Sequence, residues 1–137
     1  WRISEMPAAG GHGNCKSISE CMALIANHGE VNGVKFLSEK TLENIFAEQI
    51  IGNDLVLDNL VRWGIGFALP VKNGTWMGYF KNDKTFYWTG WGGSLSIADK
   101  ENRVSLGFAP VRMENDVFGE ERTNNIVKAF VESIEDL

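Results

Sequence analysis

Apolar residues recur at helical spacing in three segments of the chain. The first segment covers residues 15–28, where Asn14 or Ser17 is a suitable N-cap. The second covers residues 39–49 and the third covers residues 121–136. Their apolar faces consist of Ile18, Cys21, Met22 and Ile25, then Leu42, Ile45 and Phe46, then Ile126, Val127, Phe130, Val131 and Ile134. This spacing predicts three amphipathic helices, each with one face to bury.

The middle of the chain is richer in glycine and in alternating apolar residues. Residues 50–60 mix apolar and turn-forming residues, which predicts an irregular connection. Residues 62–69 alternate well enough to predict a strand, which Pro70 ends. Asn73-Gly74 then turns the chain into residues 75–80.

The clearest sheet signal lies in residues 86–113. Strands are predicted at 85–89 and 94–98, followed by a turn at 99–102 and a return strand at 103–113. Because the last helix has one apolar face, it needs one sheet face to cover. The expected fold is therefore α+β: an antiparallel sheet covered by the C-terminal helix, with the helices of the N-terminal third on the other side. Residues 1–137 are expected to form a single unit.

Composition excludes several partner classes. The chain is 44% hydrophobic and 23% charged, with a net charge of −5 and no Lys/Arg cluster, so no nucleic-acid partner is expected. No apolar run approaches 18 residues, so no membrane span is expected. His12 and His28 are the only histidines, which argues against a metal site, and no cofactor motif is present.

The ends and the cysteines bear on the origin of the chain. It begins at Trp1 instead of Met and shows no signal peptide, which predicts a fragment, a processed chain or a partial sequence. Cys15 and Cys21 are six residues apart, about 120° out of line on a helix, so they are expected to be free and buried or half-buried thiols. Free thiols favour a reducing compartment, and hence the cytoplasm.

No catalytic nucleophile motif is present in the chain. Gly-x-Ser-x-Gly is absent, and no Ser has Lys three residues later. The glycine run at 90–93 lacks the Gly-Lys-Ser/Thr ending of a phosphate loop. Two interpretations of the tryptophans Trp63, Trp76, Trp88 and Trp91 remain open: core packing, or a cleft lined by aromatic side chains.

Five stretches, in this order, resemble the C-terminal part of the serine β-lactamase-related hydrolases. The family comprises class C β-lactamases, penicillin-binding-protein-like peptidases and β-lactamase-like carboxylesterases. The stretches are PAAGGHGN at 7–14, GVKFLSEKTL at 33–42, RWGIGF at 62–67, FYWTGWGGS at 86–94, and Asp99 at the family's turn position. The resemblance implies a partial β-lactamase/transpeptidase-like fold. It also implies that a Ser-x-x-Lys serine and a Tyr base lie in an N-terminal segment missing from this chain.

The resemblance assigns site residues in this chain. Trp88-Thr89-Gly90 matches the third catalytic motif, which lines the wall opposite the serine, and the backbone of Trp91 is then the oxyanion donor. An alternative register makes Trp91-Gly92-Gly93 the motif. His12, on a glycine-rich loop, either contacts substrate at the pocket rim or is an ordinary surface residue.

Two departures from the family pattern concern the substrate. Trp88 stands where β-lactamases have Lys, and Val111, a candidate rim residue, stands where many relatives have Asn. Both changes remove polar groups that would hold an anionic substrate, which favours a small neutral ester or amide. The leading hypothesis is an esterase-like serine hydrolase working through an acyl-enzyme, inactive as these residues alone. A non-catalytic relative that binds a ligand or partner, and a purely structural domain, are the alternatives.

Overall fold

The computed structural model describes residues 3–72, 76–115, 117–118 and 121–135. Within these residues the helices are α1 (Cys15–Ala26), α2 (Glu39–Phe46) and α3 (Glu121–Glu135), and a 3-10 turn covers Trp76–Tyr79. The strands are β1 (Glu30–Val31), β2 (Val34–Lys35), β3 (Ile50–Asp54), β4 (Asn59–Trp63), β5 (Ala68–Leu69), β6 (Thr85–Gly90), β7 (Ser94–Asp99) and β8 (Val104–Phe108).

The strands β3 to β8 form one six-stranded sheet in which every neighbour pair is antiparallel. Strand order follows chain order, and β1 and β2 form a separate two-stranded hairpin. The longest ladder joins β6 to β7, from Thr85 opposite Asp99 to Gly90 opposite Ser94. The predicted α+β class is confirmed, with a C-terminal helix after the sheet.

The sheet has a separate core on each face, because successive residues of a strand point to opposite sides. On one face, Tyr87, Leu95 and Ile97 pack with Val127 of α3. On the other face, Phe86 and Ala98 pack with residues of α1 and α2, namely Ile25, Ala26 and Leu42. The helices of the N-terminal third and the terminal helix therefore lie on opposite faces, as predicted.

The start of α1 is fixed by a capping box. Asn14 is the N-cap: its side chain accepts a hydrogen bond from the Ser17 N–H at 3.0 Å, and the Ser17 hydroxyl accepts one from the Asn14 N–H at 2.9 Å. Of the two predicted caps, Asn14 is the one used.

Strand β8 lies directly under α1. A Cβ added at Gly107 would lie 2.5 Å from the carbonyl oxygen of Cys15 and 2.7 Å from the backbone N of Ser19. Nearby, the Ser105 hydroxyl donates to the Ser19 carbonyl at 3.1 Å. The absence of a side chain at position 107 thus lets the helix backbone rest on the strand.

Residues 50–60 are not irregular, as the sequence predicted, but contain the β3–β4 hairpin. The Asp54 carboxylate accepts hydrogen bonds from the N–H groups of Val56 and Leu57, both at 2.9 Å, and these bonds lower its pKa. A polar residue that looked like a loop former therefore closes a turn between two strands. Ile50, Ile51, Leu55, Val56 and Leu60 are exposed on this hairpin.

The segment 62–69 is two strands instead of one. Strand β4 ends at Trp63, a turn follows in which Gly66 has a φ of +79°, and β5 covers only Ala68–Leu69. The Gly64 N–H donates to the Phe67 carbonyl at 2.9 Å, so the chain reverses here. Gly64 and Gly66 therefore lie in a hairpin turn.

The helix predicted at 39–49 and the strand predicted at 103–113 are both shorter in the structure. Helix α2 ends at Phe46, and the return strand ends at Phe108, before Pro110. Residues 76–79 form a 3-10 turn. The predicted turn at Asn73-Gly74 lies outside the described residues.

Replacement of Gly107 by alanine is expected to destabilise the fold by about 1–3 kcal/mol. The new Cβ meets backbone atoms of α1, which cannot rotate away, so the helix must move off the sheet. Gly52→Ala in β3 is the matched control, because no heavy atom lies within 4 Å of its added Cβ. Urea unfolding measures both variants, and equal stability of the two would contradict the contact.

Ionisation of Tyr87 is expected to couple stability to alkaline pH. Burial raises the pKa of this phenol above its usual value of about 10. Below that pH the phenol is neutral in both states, so the group has no effect. Above it the unfolded chain releases the proton and the folded chain keeps it, so the free energy of unfolding falls as pH rises. Tyr87→Phe should flatten this fall in denaturant unfolding, whereas Tyr79→Phe, at an exposed ring, should retain it.

Candidate active site

A groove of about 490 Å³ lies between α1, the loop before it and the ends of β6 and β7. The loop contributes Gly11, His12 and Gly13, and α1 contributes Ser17, Ile18, Cys21 and Met22. The sheet contributes Trp88, Thr89, Gly90, Ser94, Leu95 and Ser96. This volume suits a small organic molecule.

The sheet wall of the groove is held by regular strand pairing. Trp88 lies opposite Ser96 in the ladder, and the Ser96 hydroxyl also donates to the Trp88 carbonyl at 3.1 Å. The Trp88 ring packs on Trp63, with ring centroids 4.7 Å apart and planes tilted by 45°. Backbone and ring contacts together fix the position of Trp88 at the groove.

Thr89, the middle residue of this wall, is almost completely buried. Its side-chain oxygen makes no hydrogen bond to any described residue. A buried hydroxyl without a partner costs about 1–3 kcal/mol. Buried polar groups without a partner are tolerated at functional sites, so the Thr89 hydroxyl is compatible with a functional site on β6.

A tight turn of residues 91–93 follows the wall. Gly92 and Gly93 have φ values of +95° and +92°, and the Gly93 N–H donates to the Gly90 carbonyl at 3.0 Å. The Trp91 side chain is 67% exposed. No described residue accepts a hydrogen bond from the Trp91 N–H.

Helix α3 supports the turn from behind. The Thr123 hydroxyl donates to the Gly93 carbonyl at 3.4 Å, and the Arg122 guanidinium donates to the Gly92 carbonyl at 3.5 Å. A Cβ at Gly93 would lie 3.1 Å from that guanidinium and 3.3 Å from the Thr123 hydroxyl. Glycine is therefore needed here both for its conformation and for the close approach of α3.

Among the described residues, the groove lining carries no Asp, Glu, Lys or Arg. The ionisable side chains among these lining residues are His12 and Cys21. The Nδ1 of His12 lies 2.9 Å from the Gly10 carbonyl on an exposed loop. The lining otherwise combines apolar side chains with the hydroxyls of Ser17, Ser94 and Ser96, so it is suited to an uncharged ligand.

The structure brings together four of the six residues that the sequence singled out. Trp88, Thr89, Gly90 and His12 all line the groove. Trp91 follows the wall directly but is not among the residues that line the groove. Val111 is fully exposed and lies outside the lining. Their roles remain predictions.

The resemblance implies that the helix around Ser17 borders the pocket, but it did not single out the lining side chains of α1. Ile18, Cys21 and Met22 lie at helical spacing, and the sequence predicted them as a core face. Cys21 is exposed, as is Cys15, so the expectation of buried or half-buried thiols is wrong, and both are free. Cys15 is the first residue of α1, and Cys21 lines the groove.

The described part of the chain contains neither a cluster of metal-binding side chains nor a helix that could cross a membrane. No group of three or more His, Cys, Asp or Glu side chains is placed to hold a metal ion. None of the described helices combines the length and the apolar character needed to cross a bilayer.

The sequence matches no protein-family model and no curated protein. The structure is similar to a family VIII carboxylesterase, with a TM-score of 0.83 and 29% identity over 98% of this chain and 35% of that chain. It is similar to a penicillin-binding protein homolog from Caulobacter crescentus, with a TM-score of 0.85 and 29% identity over 97% and 35% of the two chains.

EstA from Arthrobacter nitroguajacolicus Rue61a shares the fold, with a TM-score of 0.65 and 24% identity over 86% of this chain and 32% of EstA. The chain thus spans about a third of the length of each of these three structures.

Proposed function

We propose that this chain, which has the fold of the C-terminal part of the serine β-lactamase-related hydrolases, forms one wall of an acyl-transfer active site within a longer serine hydrolase. The observation that carries the proposal is the placement of Trp88, Thr89 and Gly90 on the groove, followed directly by a backbone N–H at Trp91 that no described residue uses.

The Trp91 N–H is the proposed oxyanion donor. When a serine attacks an ester carbonyl, negative charge develops on the carbonyl oxygen, and a preorganised N–H stabilises it. The tight turn and its support from Thr123 hold this N–H in place without a competing acceptor among the described residues. Collapse of the tetrahedral intermediate expels the alcohol and leaves an acyl-serine, which water then hydrolyses.

The nucleophile is proposed to lie in an upstream segment. The groove hydroxyls of Ser17 and Ser96 donate to the backbone carbonyls of Asn14 and Trp88, at 2.9 and 3.1 Å, instead of to a general base. The sequence contains no Ser followed by Lys three residues later. We therefore assign the serine and its bases to an N-terminal segment of the same fold. That segment is the proposed partner of this chain.

A neutral ester or amide is the proposed substrate, with the carboxylesterase activity favoured over β-lactam hydrolysis. The described residues that line the groove include no Lys or Arg to attract a carboxylate. The resemblance assigns Trp88 to the third-motif position, where β-lactamases have Lys. The family VIII carboxylesterase among the similar structures supports the same choice.

The 137-residue chain alone is expected to release no p-nitrophenol from p-nitrophenyl acetate above the uncatalysed rate, because it lacks an activated nucleophile. The full-length open reading frame should encode a Ser-x-x-Lys motif, and the protein that it encodes should hydrolyse the ester. Turnover by the short chain that survives Ser94→Ala would refute the upstream nucleophile. An upstream sequence without Ser-x-x-Lys would favour a non-catalytic ligand-binding relative.

In that full-length protein, Trp91→Pro is expected to lower kcat about 10²–10³-fold, because proline removes the one N–H proposed to hold the oxyanion. Trp91→Ala is the matched control: it removes the exposed ring and keeps the N–H, so kcat should change far less. Thermal unfolding verifies that both variants fold. Equal losses of kcat in the two folded variants would show that the side chain, and not the N–H, matters.

A further inference from the structure

The gap between α1 and β6 has a definite structural cause. Helix α1 is anchored at β8, where Gly107 and Ser105 contact its backbone. Strand β6 lies two strands away from β8 in the sheet, and neighbouring strands are about 4.8 Å apart. The first turns of α1 lie over β8, and the groove opens between them and the end of β6.

The side chains on the two sides of this gap are largely apolar. Ile18 and Met22 of α1 line one side of it, and Trp88 of β6 lines the other. Cys21 lies on the same side of α1 and is exposed to the groove. The described lining residues include no Asp, Glu, Lys or Arg, so transfer of an ionic group into the gap is unfavourable.

The groove lining also contains serine hydroxyl groups. Ser17 is held by the capping box of α1, and Ser96 by the Trp88 carbonyl. Their hydrogen-bonding capacity is partly used within the protein. Hydrogen bonds to these hydroxyls therefore add less to the binding free energy of a ligand than contacts with the apolar lining do. Burial of apolar ligand area is therefore the main source of affinity here.

We propose that Ile18, Cys21 and Met22 form an apolar subsite that binds the uncharged aliphatic or aromatic part of an ester substrate and limits its size. The role of this subsite in catalysis rests on the proposed function, because the reacting carbonyl would lie at the adjacent Trp88–Trp91 wall. Ligand binding to the subsite is independent of the proposed function and can be measured on the 137-residue chain. Cys21 acts here as a specificity-determining residue through its small volume.

Benzyl acetate and benzoate are suitable probes, because both carry one aromatic ring and only benzoate is charged. In ligand-observed NMR with the 137-residue chain, saturation transfer is expected to benzyl acetate and not to benzoate. Cys21→Trp, which fills the gap, should abolish the benzyl acetate signal. Glu20→Trp is the matched control: it adds the same ring to the solvent side of α1, outside the groove lining, and should leave the signal unchanged.

A second measurement uses the thiol itself. In a Cys15→Ser chain, Cys21 is the remaining thiol, and benzyl acetate should slow its modification by Ellman's reagent whereas benzoate should not. Equal protection by benzoate, or full benzyl acetate binding by folded Cys21→Trp, would overturn the subsite.

The full-length protein separates this proposal from the proposed function. There, Cys21→Trp should raise KM for a p-nitrophenyl butyrate ester relative to the acetate by about tenfold or more, because the longer acyl chain needs the gap. An unchanged ratio in an active enzyme would refute the subsite alone. Absence of any ester hydrolysis, with benzyl acetate binding intact, would refute the proposed function and leave the subsite standing.

Discussion

The pairing of β6 with β7 is the interaction on which the rest of the structure depends. Its six residue pairs run between two fixed ends. At one end the buried Asp99 carboxylate accepts hydrogen bonds from the Asn102 N–H and from the side chains of Asn82 and Asn102, all at 2.9 Å. At the other end lies the glycine turn. Both cores and the groove wall are built on residues of this one ladder.

The two faces of the ladder are covered in different ways, and this difference creates the site. Helix α3 packs Val127 into a continuous core and also hydrogen-bonds to the turn through Thr123. Helix α1 instead sits over β8, where Gly107 permits backbone contact, and leaves the end of β6 uncovered. The same strand is therefore supported rigidly from one side and open to a ligand on the other, which is what a preorganised site requires.

The sequence predicted those parts in which local and long-range signals agree. The terminal helix and the β6–β7–β8 region have clear periodicity and turn residues, and both were predicted, although β8 is shorter than expected. The β3–β4 hairpin was missed because Gly52, Asn53 and Asp54 are poor strand formers, and pairing with β4 overrides that preference. Helix periodicity identified the apolar stripe of α1, but periodicity cannot tell a core from a groove. That distinction depends on how far the helix lies from β6, which Gly107 sets.

The exposed edge of the sheet has a consequence for the handling of the chain. Strand β3 has no neighbour on its outer side among the described residues, and it carries exposed Ile50 and Ile51 next to the fully exposed Leu55. An edge with free backbone groups and apolar side chains is a template for pairing with another molecule. This hairpin is therefore a site at which the chain can associate with other molecules. A lysine at Ile51 would act as a gatekeeper there without touching the groove.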